Sequence, residues 1–170
     1  MSTPHVKPPR VVVAGLGNIF LGDDGFGVEV VKRLSEMHLP EDVRLVDAGT
    51  RSVHLAYQLC EQPCECLILI DAVWKGGAPR TLYVLEPDAG HIADRPQPAD
   101  GHSVAPHDVL ALVGQLGGHL PRVLIVGCEP SQVGPDAGLT PPVEAAVDEA
   151  AKLVLRLIAA STTTPVEAAS

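Results

Sequence analysis

Three stretches of this 170-residue chain are apolar at every position rather than at every second one. They are Val11-Val12-Val13-Ala14, Cys66-Leu67-Ile68-Leu69-Ile70 and Val123-Leu124-Ile125-Val126. A strand with one wet face alternates apolar and polar residues, so strands this uniform must be covered on both faces. Amphipathic stretches between them supply the cover. Residues 24–37 set Phe26, Val30, Val31 and Leu34 at helical spacing, with Lys32, Arg33 and Glu36 opposite. Asp23 is placed to cap that helix's first turn. Residues 53–59 read as a short helix and 106–116 as a longer one, with Pro106 suited to the first turn. Residues 141–159 read as a long final helix, capped by Thr140 and buried through Val143, Val147, Ala151, Val154, Leu155 and Ile158. Residues 43–47 and 81–85 are further strands, the latter at an edge after the Gly76-Gly77-Ala78-Pro79 turn.

Alternation of strand and helix implies parallel crossovers. The expected fold is a single α/β domain, a three-layer α/β/α sandwich with a mainly parallel twisted sheet and the 66–73 strand at its centre. The length suits one core. Residues 11–160 form the expected domain, with 1–10 and 161–170 as flexible ends. The Pro-, Asp- and Gly-rich stretch 86–101 is an expected loop.

A formal charge of -9 disfavours nucleic acid and anionic membrane as partners, and aromatic residues at 3% leave little for base stacking. No apolar run approaches the ~20 residues that span a bilayer, and the first ten residues lack a signal-peptide core, so the expected compartment is the cytoplasm. Cys60, Cys64, Cys66 and Cys128 contain no ligand pair of zinc-finger spacing. Ordinary reduced cysteines are expected.

In such sandwiches ligands bind beyond the carboxyl ends of the strands. Here the first strand leads to Asp23 and Asp24, the second ends on Asp47, the third on Asp71, and the last leads into Glu129. His102 precedes the 106–116 helix. Taken singly, these groups are ordinary caps, turn residues and a loop histidine. Together, two carboxylates and a histidine make an O/O/N set that suits a divalent metal and leaves positions open. Such a set could direct water at a carbonyl.

Competing motifs fail on their own physics. Gly15-Leu16-Gly17 starts a dinucleotide fingerprint, but its third glycine is replaced by Phe20, and Asp23 and Asp24 put negative charge where a pyrophosphate would sit. Gly101-His102-Ser103-Val104-Ala105 mimics a nucleophile elbow without the buried strand that must precede one. Neither an H-E-x-x-H helix nor a Walker loop occurs.

The segment from Gly15 to Gly27, Gly-Leu-Gly-Asn-Ile-Phe-Leu-Gly-Asp-Asp-Gly-Phe-Gly, resembles the opening G-x-G-N-x-x-x-x-D-[DE]-x-x-G signature of the hydrogenase-maturation endopeptidases. Asp47-Ala48-Gly49-Thr50, Leu69-Ile70-Asp71-Ala72-Val73, His102 ahead of Asp108-Val109-Leu110, Gly127-Cys128-Glu129-Pro130 and Gly138-Leu139-Thr140-Pro141-Pro142-Val143 follow in order. The resemblance spans about residues 10–160. It implies an endopeptidase of aspartyl type that removes a short C-terminal extension from the large-subunit precursor of a nickel–iron hydrogenase after nickel insertion. The family's metal-contacting acid, second acid and histidine fall on Asp24, Asp71 and His102. Some members carry Glu where this chain has Asp24, one methylene shorter. Asp47 matches a family acid near the scissile region. The implied metal is nickel supplied by the precursor, with no organic cofactor. No serine or cysteine is placed with a base, so a covalent acyl-enzyme is not expected. The alternative reading is a non-catalytic nickel-sensing chaperone or binding protein for the same precursor.

Overall fold

The computed structural model describes residues 7–88 and 105–163. Within them the chain runs β1 (Val11–Leu16), a 3-10 turn (Gly22–Gly25), α1 (Phe26–Ser35), β2 (Val43–Gly49), α2 (Ser52–Glu61) and β3 (Cys66–Ala72). It continues through β4 (Leu82–Leu85), α3 (Pro106–Gln115), β5 (Arg122–Cys128) and α4 (Pro141–Thr163). The strands form one sheet in the order β2-β1-β3-β5-β4. β1 pairs in parallel with β2 and β3, and β3 with β5, so the most apolar strand lies at the centre. β4 joins β5 antiparallel at the edge. Residues 73–81 are too few for a parallel crossover, which takes about a dozen residues, so the chain folds back instead.

The uniform apolar runs divide by residue parity between two cores. Val11, Val13, Ile68, Ile70, Leu124 and Val126 face α1 and α4. Val12, Ala14, Leu16, Leu67, Leu69, Val123 and Ile125 face α2 and α3. Side chains on successive strand residues point to opposite faces, so a strand covered twice must be apolar throughout. The result is the three-layer, mainly parallel sandwich expected. Among the described residues no helix is long and apolar enough to cross a membrane.

Several boundaries differ from the sequence reading. The first helix begins at Phe26, not at residue 24, because a 3-10 turn carries the two acids. Asp23 caps nothing there; its carboxylate is spent elsewhere in the fold. The final helix extends to Thr163, past residue 159. Its fully buried stripe uses Ala146 and Ala150 where Val147 and Leu155 were expected, and those two pack at the margin. Thr140 aims its hydroxyl at Asp23. Residues 161–163 of the expected flexible tail are thus helical, whereas 1–6 and 164–170 of the expected ends and 89–101 of the expected loop lie outside the described residues.

α1 sits unusually close to the sheet. A Cβ on Gly27 would fall among the carbonyl oxygens of Ile70 and Leu16, and one on Gly15 would strike the Gly27 carbonyl. Those atoms are backbone and cannot swing aside. Gly27→Ala gains about 1 kcal/mol of helix propensity. Forcing a methyl into the packed backbone contact typically costs about 1–3 kcal/mol, sometimes more. The clash should win, and urea unfolding of Gly27→Ala should show a lower midpoint than the parent. An equal or higher midpoint would show that the helix can move off the sheet at little cost.

Candidate functional site

The carboxyl ends of β1 and β3 place two acids side by side. Asp71 occupies the penultimate position of β3 and is 5% exposed. Its Oδ1 accepts the N–H of Ala72 at 2.8 Å. Asp24 reaches the same spot from the 3-10 turn, where its Oδ2 accepts the N–H of Asn18 at 2.8 Å. Gly17 lies between them. Its φ of 114° is open to glycine, and a Cβ there would strike the Asp24 carbonyl and lie 3.4 Å from Asp71 Oδ1. Each carboxylate is thus oriented by one backbone amide.

Burial holds the Asp71 carboxyl well above the usual carboxylate range, and the neighbouring charge of Asp24 pushes the same way against the single Ala72 amide. A cation beside the two acids would offset the burial and the like charge that disfavour the Asp71 carboxylate. The pair is therefore chemically suited to receive one.

The other acids at this edge have different employment. Asp47 lies across β1 from the centre, in register with Gly15, which in turn faces Ile70 on β3. That is two strand spacings from Ile70, about 10 Å. Asp47 is exposed, and its backbone carbonyl takes the Arg51 guanidinium at 3.1 Å. His102 lies outside the described residues, among which no group of three or more His, Cys, Asp or Glu side chains is assembled for a metal.

Asp23 and Glu129 are pins, not ligands. Asp23 is fully buried and accepts the amides of Ser131 (2.8 Å), Gln132 (2.9 Å) and Thr140 (2.7 Å), together with the Thr140 hydroxyl. Burial alone would raise its pKa, but the bonds from Gln132, Thr140 and Ser131 outweigh burial and hold it below the usual range. Glu129, 2% exposed, accepts the amides of Lys75 and Gly76 and the hydroxyl of Tyr83. These too outweigh burial and lower its pKa. The sequence reading placed Glu129 among the converging ionisable groups without seeing that its oxygens are already taken.

Burial disfavours the thiolate at Cys64, Cys66 and Cys128. All four cysteines are free, with Cys66 and Cys128 buried. Burial pushes the Cys64 thiol up to about 11 and the Cys128 thiol to about 12. The sequence reading missed the aromatic residues at this edge. Phe20 is 68% and Trp74 64% exposed, although the chain has only two Phe and one Trp. Their loop positions just after β1 and β3 were the available signal.

Comparison with known proteins gives matches in sequence and in fold. The family model described as hydrogenase maturation protease matches residues 28–157. The hydrogenase expression/formation protein HupD of Rhodobacter capsulatus is 38% identical over 148 residues, covering 85% of this chain and 69% of that one. The hydrogenase 2 maturation protease of Escherichia coli is 34% identical over 154 residues, covering 86% and 88%. The solved structure of the hydrogenase maturating endopeptidase HybD from E. coli superposes with a TM-score of 0.73 at 30% identity, covering 89% of this chain and 93% of that one.

Asp23 and Asp71 should respond oppositely to neutralisation. The folded chain holds the Asp71 proton to higher pH than the unfolded chain. Stability is therefore lost as pH rises from about 4, the unfolded value, through the folded pKa. Asp23 has a depressed folded pKa, so its contribution is present above about pH 4 and disappears as pH falls through the folded value. In chelator at pH 7, Asp71→Asn should unfold at higher urea than the parent, and the gap should close toward about pH 4. Asp23→Asn should be destabilised at pH 7 by about 2 kcal/mol, since an amide cannot accept this set of donors. Shifts of the same sign at pH 7 would refute this assignment of roles.

Proposed function

The chain belongs to the hydrogenase maturation protease family, and from that premise we propose that it removes the C-terminal extension of a hydrogenase large-subunit precursor that already carries nickel. The observation that carries this reading is the buried Asp71 with the half-buried Asp24 beside it, two acids whose repulsion a cation would relieve.

In this reading the nickel belongs to the substrate. Asp24 and Asp71 each have one oxygen oriented by a backbone amide, which fixes the direction of the other toward the incoming ion. His102 supplies the third contact. An O/O/N set has no intrinsic means of rejecting zinc or copper, so selectivity for nickel comes from the ligands the precursor already holds around it. Asp47, at the same sheet edge and exposed, contacts the peptide near the scissile bond.

Hydrolysis adds water across the amide: hydroxyl to the acyl carbon, proton to the departing amine. A carboxylate of the pair takes the proton from the attacking water and passes it on, as general base and then acid. Attack by Cys128, the cysteine at this sheet edge, is disfavoured because it is buried with its thiol at about 12. The enzyme is thus read as a carboxylate-dependent endopeptidase, with the precursor as its partner and the cytoplasm as its compartment.

The test is a two-by-two comparison of enzyme and precursor, each with and without nickel, read by the size shift of the trimmed product. Enzyme purified in chelator should cut nickel-loaded precursor and leave nickel-free precursor whole. Asp71→Asn should fold and lose processing by at least about a hundredfold, the scale of removing a positioned acid–base group. His102→Ala should weaken processing of the loaded precursor without lowering stability. Equal cutting of metal-free precursor would replace this mechanism with one in which the enzyme needs no metal from its substrate. Binding without trimming would make the chain a nickel-sensing chaperone.

A further inference from the structure

Eight large apolar residues are prominently exposed among the described residues, and five of them follow the parallel strands, at the carboxyl edge of the sheet. Ile19 and Phe20 follow β1, Val53 stands in the first turn of α2 beyond β2, Trp74 follows β3, and Val133 follows β5. The carboxyl end of each of the four parallel strands therefore leads to an exposed apolar side chain. The acid pair lies at the middle of this apolar rim, at the carboxyl ends of the inner strands β1 and β3: Phe20 precedes Asp24 by four residues and Trp74 follows Asp71 by three.

Hydrogen bonds hold the backbone around three members of this rim. Phe20 donates its N–H to Asn18 Oδ1 at 2.9 Å, and Leu21 donates to the Asn18 carbonyl at 3.1 Å. Asn18 is itself tied to Asp24. Trp74 stands between two amides that are both engaged: Val73 N–H on the Cys128 carbonyl at 2.9 Å, and Lys75 N–H on Glu129 at 2.8 Å. Val133 stands between Gln132, bonded to Asp23, and Gly134, bonded to the Leu21 carbonyl at 3.3 Å. The two buried carboxylates that take no part in the chemistry, Asp23 and Glu129, thus brace the loops that present this rim.

Large apolar side chains fixed in water are unfavourable unless something covers them, and aromatic anchors held in advance of binding dominate protein interfaces. We propose that this rim is the docking surface for the precursor, and that it accepts an apolar protein surface surrounding a cationic centre. The charge and polarity are arranged for such a partner: carboxylates at the middle, apolar residues around them. Contact with the rim would also exclude water from the acid pair and strengthen its hold on a cation. This inference rests on the proposed function, since it names the surface by which that same site takes its substrate.

The experiment uses nickel-loaded precursor and four variants: Phe20→Ser, Trp74→Ser, the pair, and Leu116→Ser. Leu116 is exposed at the end of α3, outside the rim. Each rim substitution should lower kcat/KM about tenfold, chiefly through KM, and the pair about a hundredfold. Leu116→Ser should match the parent, thermal melts should be unchanged, and Trp74→Phe should recover most of the loss. A pair variant with KM within about twofold of the parent overturns the proposal. So does a parent that self-associates in sedimentation equilibrium, is dissociated by Phe20→Ser, and keeps its KM; the rim would then bind a second copy. If the parent leaves loaded precursor uncut, the functional reading fails by itself. The rim is then judged by equilibrium binding of the same precursor to the same variants.

Discussion

A backbone-to-backbone contact between α1 and the centre of the sheet underlies the rest of the molecule. Gly15 and Gly27 remove the side chains that would hold helix and strands apart, so the Gly27 backbone meets the carbonyls of Leu16 and Ile70 directly. The 3-10 turn ahead of α1 is thereby drawn onto the carboxyl ends of β1 and β3. Gly17, with its positive φ, lets the turn pass over without obstruction. The consequence is chemical as much as structural. Asp24 is delivered beside Asp71, and neither acid alone would have the properties of the pair.

Two consecutive acids then meet opposite fates. Asp23 turns inward to amides and a hydroxyl, which stabilise its charge in a buried place. Asp24 turns toward Asp71, where one amide each must serve two carboxylates. A buried charge with enough donors is a structural tie, whereas a buried charge facing another of the same sign is an unmet demand for a cation. The same reasoning explains why a glycine-rich loop after the first strand does not bind phosphate here. The Asn18 amide, which such a loop would offer to an anion, is already bonded to Asp24. The loop supplies an anion from its own sequence and so becomes a place for positive charge.

Under the proposed function, a protease that must select one bond of its precursor needs recognition beyond two carboxylates. Contacts made away from the reacting atoms can position the scissile bond and favour the correct partner. The bracing of Phe20, Trp74 and Val133 by Asn18, Glu129 and Asp23 links the buried polar groups to that role.

Much of this was legible in the sequence. Runs apolar at every residue require two covers, and helical stripes between them supply it, so layers, parallel pairing and the central strand all follow from local pattern. Asp71 and Asp47 were legible as acids at strand ends, and Asp24 as an acid at the head of the first helix. Their assignment to chemistry came with the family resemblance. The direction of β4 is not written in its own apolar pattern; the short 73–81 link fixes it. The fates of Asp23 and Glu129 were not legible, because their partners lie far along the chain: Ser131, Gln132 and Thr140 for the one, Lys75, Gly76 and Tyr83 for the other. The sequence by itself determined which segments are buried, since burial is written in local periodicity. Only the tertiary structure decided which buried carboxylate is satisfied and which is left facing its like, because that depends on donors brought from distant residues.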